Sequence, residues 1–76
     1  MPHVIVKMYA GRSDTQKFQL AEAITRAVMA GADCTRNAVS VSVEDVQPGA
    51  WTEAVYRRDI LGRPDTLYKK PGYNPL

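Results

Sequence analysis

Apolar residues alternate with polar ones at the start of the chain, where Val4, Val6 and Met8 fall on one side of an extended backbone and Ile5, Lys7 and Tyr9 on the other. This β-branched stretch, running from Pro2 to Tyr9, predicts a strand that begins at the N-terminus. Ala10-Gly11-Arg12 interrupts it. Ser13 followed three residues later by Gln16 is a capping-box pattern, and Asp14 sits favourably at the positive end of a helix dipole. From Asp14 to about Ala30 the apolar residues Leu20, Ala21, Ile24, Ala27 and Val28 recur at helical spacing, with Lys17, Glu22 and Arg26 off that face. Gly31 is the expected stop, and Asp33 to Asn37 carry turn chemistry.

A second alternation follows, with Val39, Val41 and Val43 on one face and Ser40, Ser42 and Glu44 on the other. Strand, helix and strand make a βαβ unit whose strands are parallel and whose crossover is right-handed. Two parallel strands under one helix leave sheet edges and one face uncovered, so pairing with a second copy is the natural completion. Gln47-Pro48-Gly49 reads as a turn. Ala50 to Leu61 reads as a short second helix with Trp51, Ala54, Val55 and Leu61 inward, ended by Gly62-Arg63-Pro64. The Pro- and Gly-containing remainder predicts no long element, and residues 1–76 read as a single domain.

Composition sharpens this picture. A chain of 76 residues buries only roughly 60% of its unfolded surface, so an isolated copy needs a disulfide, a metal or a partner. Cys34 is the sole cysteine and His3 the sole histidine, which leaves oligomerisation. A single cysteine and the lack of a leader segment suggest a cytoplasmic protein. The apolar runs are too short for a membrane helix. Ten basic against eight acidic residues argue against a nucleic-acid binder, although Arg57 to Lys70 hold five basic and two acidic residues and form a basic C-terminal third.

The candidate chemistry lies at Met1-Pro2. Removal of Met1 turns the Pro2 nitrogen into a secondary amine, whereas a retained Met1 leaves it an amide without a usable lone pair. An apolar pocket or a nearby cation lowers the pKa of such an amine and makes it a base for moving a proton within an enol or keto acid. The Pro2-initiated βαβ unit with Gly11-Arg12-Ser13-Asp14 and Gln16-Lys17 at its strand-to-helix junction resembles the 4-oxalocrotonate tautomerase family. Pro2-His3, Val39-Ser40-Val41-Ser42, Gln47-Pro48 with Trp51, and Lys69-Lys70-Pro71-Gly72-Tyr73 resemble its PptA-type branch.

The resemblance implies an α/β (α+β) fold of the βαβ tautomerase/MIF type, its sheet completed by a second subunit. It also implies keto–enol tautomerisation of a 2-oxo or enol carboxylic acid, phenylpyruvate-like or a 2-hydroxydienoate, with Pro2 as general base and acid and no cofactor or metal. Arg12 is implied to hold the substrate carboxylate, close to the strand that carries Pro2, and Trp51 to form an aromatic wall. Ser40 stands where the type enzyme has a second arginine; it offers neither charge nor fork, so a monocarboxylate fits better than a dicarboxylate. Lys70, and less so Lys69, offers a substitute cation if the tail folds back. His3 is expected on the face opposite Pro2 in a structural or interface role, and Tyr73 to be solvated. The long tail goes with a homodimer in preference to a hexamer. Two alternatives remain: a non-enzymatic βαβ homo-oligomer binding an anion or protein through its basic tail, and a Pro-dependent dehalogenase, for which Glu44 is the only weak candidate to activate water.

Overall fold

The two alternating segments pair side by side as parallel strands in the computed structural model, which describes residues 1–76. Strand β1 (His3–Tyr9) and strand β2 (Ser40–Val46) run in register from His3 opposite Ser40 to Tyr9 opposite Val46. Partners in a parallel pair share a face, so Val4, Val6 and Met8 lie beside Val41, Val43 and Asp45, and Ile5, Lys7 and Tyr9 beside Ser42, Glu44 and Val46. Helix α1 (Asp14–Gly31) covers the first face. Its Lys17 reaches Asp45 at 2.7 Å.

The Ser13 capping box forms as the sequence predicts. Gln16 N–H donates to Ser13 Oγ at 3.2 Å, and Ser13 N–H donates to Gln16 Oε1 at 2.9 Å. Gly11 just before it has φ +127°, a conformation that side chains other than hydrogen seldom allow. At the far end the stop differs from expectation: Gly31 is the last helical residue, and Asp33 turns the chain with φ +52°. An aspartate does this at small cost because its short polar side chain tolerates the left-handed region. Glu22 of α1 accepts from Arg36 at 2.8 and 2.9 Å and from Arg26 at 3.3 Å, tying the helix to the 3₁₀ turn Arg36–Ala38 that leads into β2. The Arg36 hydrogen bonds, aided by its charge, hold the Glu22 carboxyl below its ordinary pKa.

After a 3₁₀ turn at Pro48–Ala50 comes the second predicted helix, Thr52–Leu61, wound as a π-helix. The wider i to i+5 winding moves residues off the face that an α-helical period assigns them. Val55 is buried as predicted, but Tyr56 joins it, while Leu61 is half exposed instead of inward. Lys7 bridges β1 to this helix through Asp59 at 2.6 Å. Gly62 N–H closes the helix on Arg57 O at 2.9 Å, and a Cβ there would lie 2.6 Å from Arg58 O, so only glycine fits without displacement. A 3₁₀ turn at Pro64–Thr66 then opens the tail.

Val55 and Tyr56 are the only buried residues. The accessible area of 5731 Å² compares with about 4,600 Å² for a compact chain of this mass. Its radius of gyration of 13.8 Å likewise exceeds the roughly 11.4 Å of a globule of this length. Ile5, Tyr9, Phe18, Leu61 and Tyr68 stand substantially in solvent. A lone chain therefore leaves roughly 1,100 Å² more surface in water than its mass requires.

Candidate active site

The residues singled out from the sequence gather at two opposite ends of the strand pair. At the leading end Ser40 N–H donates to Pro2 O at 3.1 Å, which fixes the start of β1 by backbone alone. Pro2 is half-buried, and Met1 before it is wholly exposed. His3 Nδ1 and Ser40 Oγ share a 2.7 Å hydrogen bond across the register, so the two polar side chains beside Pro2 are partners. The sequence reading gave His3 a structural or interface role and missed this pairing. Only the parallel register brings residues 37 positions apart together.

At the trailing end, four segments meet. Arg12 Nη1 donates to Tyr9 O at 3.2 Å, so the guanidinium folds over the end of β1. Tyr9 meets the Trp51 ring edge to face at 5.3 Å and 76°. The Trp51 indole N–H donates to Tyr73 Oη at 2.9 Å, and the Tyr73 ring lies 5.7 Å from buried Tyr56. Tyr9, Trp51 and Tyr73 line an open cavity of about 190 Å³.

Arg12 is expected close to the strand that carries Pro2, and its guanidinium does lie against β1, but at the end away from Pro2, because the strand-to-helix turn necessarily follows the end of β1, while Pro2 lies before its start. Seven residues of strand span roughly 20 Å, which no arginine side chain crosses. Within one chain, Arg12 therefore neither meets a substrate at Pro2 nor influences that nitrogen.

Lys70 stands apart from both end clusters within the chain. The tail does fold back, but Lys70 lines a separate hollow of about 290 Å³ with Tyr56, Ile60, Leu61, Pro64, Leu67 and Pro71. Pro64 and Pro71 lead the chain along the flank of the π-helix, and it returns to the Trp51 cluster only at Tyr73. Tyr73 is exposed, as expected, but it also accepts from Trp51; the lone indole N–H, which needs an acceptor when packed, is the signal for that contact. Glu44 stands mid-strand opposite Lys7, away from both ends, where it has no proline to serve.

No three His, Cys, Asp or Glu side chains converge, and no helix is long and apolar enough to cross a membrane. The Glu22 and Arg36 pair, whose pKa values move apart through their mutual hydrogen bonds, belongs to the α1 side of the molecule and to neither end cluster.

Comparison with known proteins completes the picture. A family model described as "Tautomerase enzyme" matches residues 2–55. A probable tautomerase of Xylella fastidiosa is 42% identical over 76 residues, covering 100% of this chain and 93% of the relative. Tautomerase PptA of Cronobacter sakazakii is 36% identical over 74 residues, 96% of this chain and 97% of its own length. Among solved structures, TomN, a 4-oxalocrotonate tautomerase homologue in the tomaymycin biosynthetic pathway, superposes with a TM-score of 0.63 at 34% identity, over 66% of this chain and 77% of that one. SAR1376, a putative 4-oxalocrotonate tautomerase from Staphylococcus aureus, superposes with a TM-score of 0.60 at 38% identity, over 62% and 76%. With the βαβ fold and the Pro2-led strand already in view, these matches establish the chain as a member of the tautomerase family, in the PptA-like branch of the 4-oxalocrotonate tautomerases, and as an isomerase of that class.

Proposed function

We propose that this protein is a keto–enol tautomerase of 2-oxo and enol carboxylic acids, with Pro2, freed of Met1, as the proton carrier. The observation that carries the reading is the location of Pro2 at an open strand terminus, held by its own carbonyl and half-buried, in a chain of the tautomerase family. The pyrrolidine nitrogen takes the enol hydroxyl proton. The O–H electron pair becomes the C=O bond, the C=C pair moves to the neighbouring carbon, and that carbon takes the proton back from the pyrrolidinium. Nothing is oxidised or reduced, so the reaction calls for no cofactor.

The roughly 20 Å between Pro2 and Arg12 argues that the site is built between copies. In a two-fold pair whose β1 strands run antiparallel, the start of one strand lies beside the end of the other, so Pro2 of one copy meets Arg12 and Trp51 of its partner. The roughly 1,100 Å² of surplus surface supports this, since a standard interface takes about 800 Å² per partner. A homodimer is the preferred assembly, and the free thiol of Cys34 suits a cytoplasmic protein. Arg12 then grips the substrate carboxylate through two of its donors and orients the reacting carbon.

Ser40 does not replace a second arginine, because its hydroxyl is engaged with His3 and carries no charge. A monocarboxylate with an apolar body is accordingly the favoured substrate, and phenylenolpyruvate the first probe. The test is its ketonisation across pH, using protein whose intact mass shows Met1 removed. The expected result is a rate that rises through a pKa well below that of a free secondary amine and disappears in Pro2→Ala. Equal rates in the two proteins would overturn the reading and favour an anion-binding homo-oligomer.

A further inference from the structure

We propose that Tyr73, from the C-terminal tail, is the specificity-determining residue that sets the Trp51 indole and closes a pocket for the aryl group of the substrate. The inference rests on the tautomerase reading and goes beyond it, since Tyr73 lies outside residues 2–55 that the family model matches.

Three contacts carry it. The phenolic oxygen of Tyr73 accepts from Trp51 Nε1 at 2.9 Å, satisfying the indole's one donor. The Tyr73 ring packs at 5.7 Å against Tyr56, one of the two buried residues, so the tail is anchored on the small core of the chain. Tyr9 meets the Trp51 ring at 5.3 Å. Trp51 thus has two aromatic partners, and the three rings line an open cavity of about 190 Å³. An apolar cavity of about 150 Å³ is enough for a benzene ring.

The class of ligand follows from a cation near this cavity, although Arg12 does not itself line it. Arg12 donates to Tyr9 O, the backbone of a cavity residue, with one of its five N–H groups; the other four are free for an anion. Aromatic walls next to a guanidinium suit a planar aryl group joined by a short linker to a carboxylate. A ligand lacking the ring gains only the Arg12 contact. Tyr73 therefore acts twice, as a wall touching the aryl group and as the positioning partner of Trp51.

Trp51 is the only tryptophan in the chain, so its emission reports on this pocket alone. The experiment titrates 3-phenylpropanoate and butanoate against Trp51 fluorescence in wild type, Tyr73→Phe and Tyr73→Ala. In parallel, kcat and KM are measured for phenylenolpyruvate and for an aliphatic enol acid. Wild type is expected to respond to 3-phenylpropanoate much more strongly than to butanoate. Tyr73→Ala is expected to weaken aryl binding by roughly tenfold, and Tyr73→Phe, which keeps the ring and loses the hydrogen bond, by roughly threefold. The aryl-over-alkyl ratio of kcat/KM should fall by the same factors, through KM more than kcat.

An aryl-over-alkyl ratio that stays within about twofold of wild type in both variants would overturn the proposal while leaving the tautomerase reading intact. Aryl-selective binding that depends on Tyr73, in a protein without turnover, would uphold the pocket and overturn the tautomerase reading. Should Tyr73→Ala lose its far-ultraviolet circular dichroism, Tyr73→Phe decides alone.

Discussion

The two ends of the strand pair are built differently. At the Pro2 end, a short run of adjacent residues and one register partner create the reactive position; the contacts are backbone Ser40 to Pro2 and the His3–Ser40 pair. At the Trp51 end, Tyr9, Arg12, Trp51 and Tyr73 come from the strand end, the strand-to-helix turn, the start of the second helix and the tail. The first end holds Pro2, the proposed proton carrier, and a His3–Ser40 pair whose polar groups engage each other. The second supplies a cation and an aromatic cavity without a proline. The difference teaches that within one chain Pro2 and the Arg12–Trp51 cluster stand at separate ends, and the two-copy site proposed above would bring one end from each chain together.

The sharpest way to break this comparison is to disable one end at a time. Pro2→Ala should lower kcat by roughly 10² to 10⁴-fold, the usual share of a positioned base, with the same mass in light scattering as wild type. Retained turnover in steady-state ketonisation assays would move the base elsewhere. Arg12→Ala should cost about 2 kcal/mol of transition-state stabilisation, roughly 30-fold in kcat/KM, through loss of its charged hydrogen bonds. Mixing the two impaired variants after unfolding and refolding tests the division directly. Half of randomly formed dimers hold one chain of each kind and one intact site, so the mixture should recover about a quarter of wild-type activity. A site contained within one chain recovers nothing.

Gly62→Ala should affect the second end alone. Its Cβ would press on Arg58 O at 2.6 Å and Arg57 O at 2.9 Å, and relieving that contact should cost at least about 1 kcal/mol of stability in urea melts. Loosening the π-helix disturbs Tyr56 beneath Tyr73, so the Trp51 emission should shift red, while the Pro2 end, linked through β2 and α1, stays as it is. An unchanged urea midpoint would mean that the helix end yields freely.

The smallest effect is expected at Glu22, which belongs to neither end. Its folded pKa lies below the ordinary 4.5, so its link to Arg36 stabilises the chain above the unfolded pKa and is lost as pH falls through the folded one. Glu22→Gln should therefore flatten the acid limb of the melting temperature against pH, and at neutral pH change the melting temperature by no more than about 2 °C, as for an exposed ion pair. An acid limb as steep as that of wild type would assign it to other carboxylates.

Much of the fold was legible in the residue pattern. The alternation of Val4, Val6 and Met8, and of Val39, Val41 and Val43, anticipated both strands, and the Ser13–Gln16 pair the start of α1, because period and capping are properties of a few neighbouring residues. The parallel pairing followed from the length of the crossover. Resemblance marked Pro2, Arg12, Ser40 and Trp51 as candidates and placed Arg12 by the strand that carries Pro2, but it carried no distances, and so it did not show that the two lie at opposite ends of that strand.

Where the sequence reading failed, the cause was non-local. The inward face of Thr52–Leu61 depends on π winding, which shares its residue composition with an α-helix and differs only in which carbonyl each N–H finds. Lys70 and Tyr73 are three residues apart in one tail, yet one lines a hollow beside the π-helix and the other meets Trp51. By itself, then, the amino-acid sequence determined the βαβ order, the helix start and a proline directly after Met1, properties set within a turn or two of backbone, and, through the length of the crossover, the parallel strands. The tertiary structure alone decided that the proline and the arginine stand a strand's length apart, that His3 answers to Ser40, and that the tail holds Trp51 through Tyr73. These depend on the path of the chain between distant residues, which local periodicity does not encode.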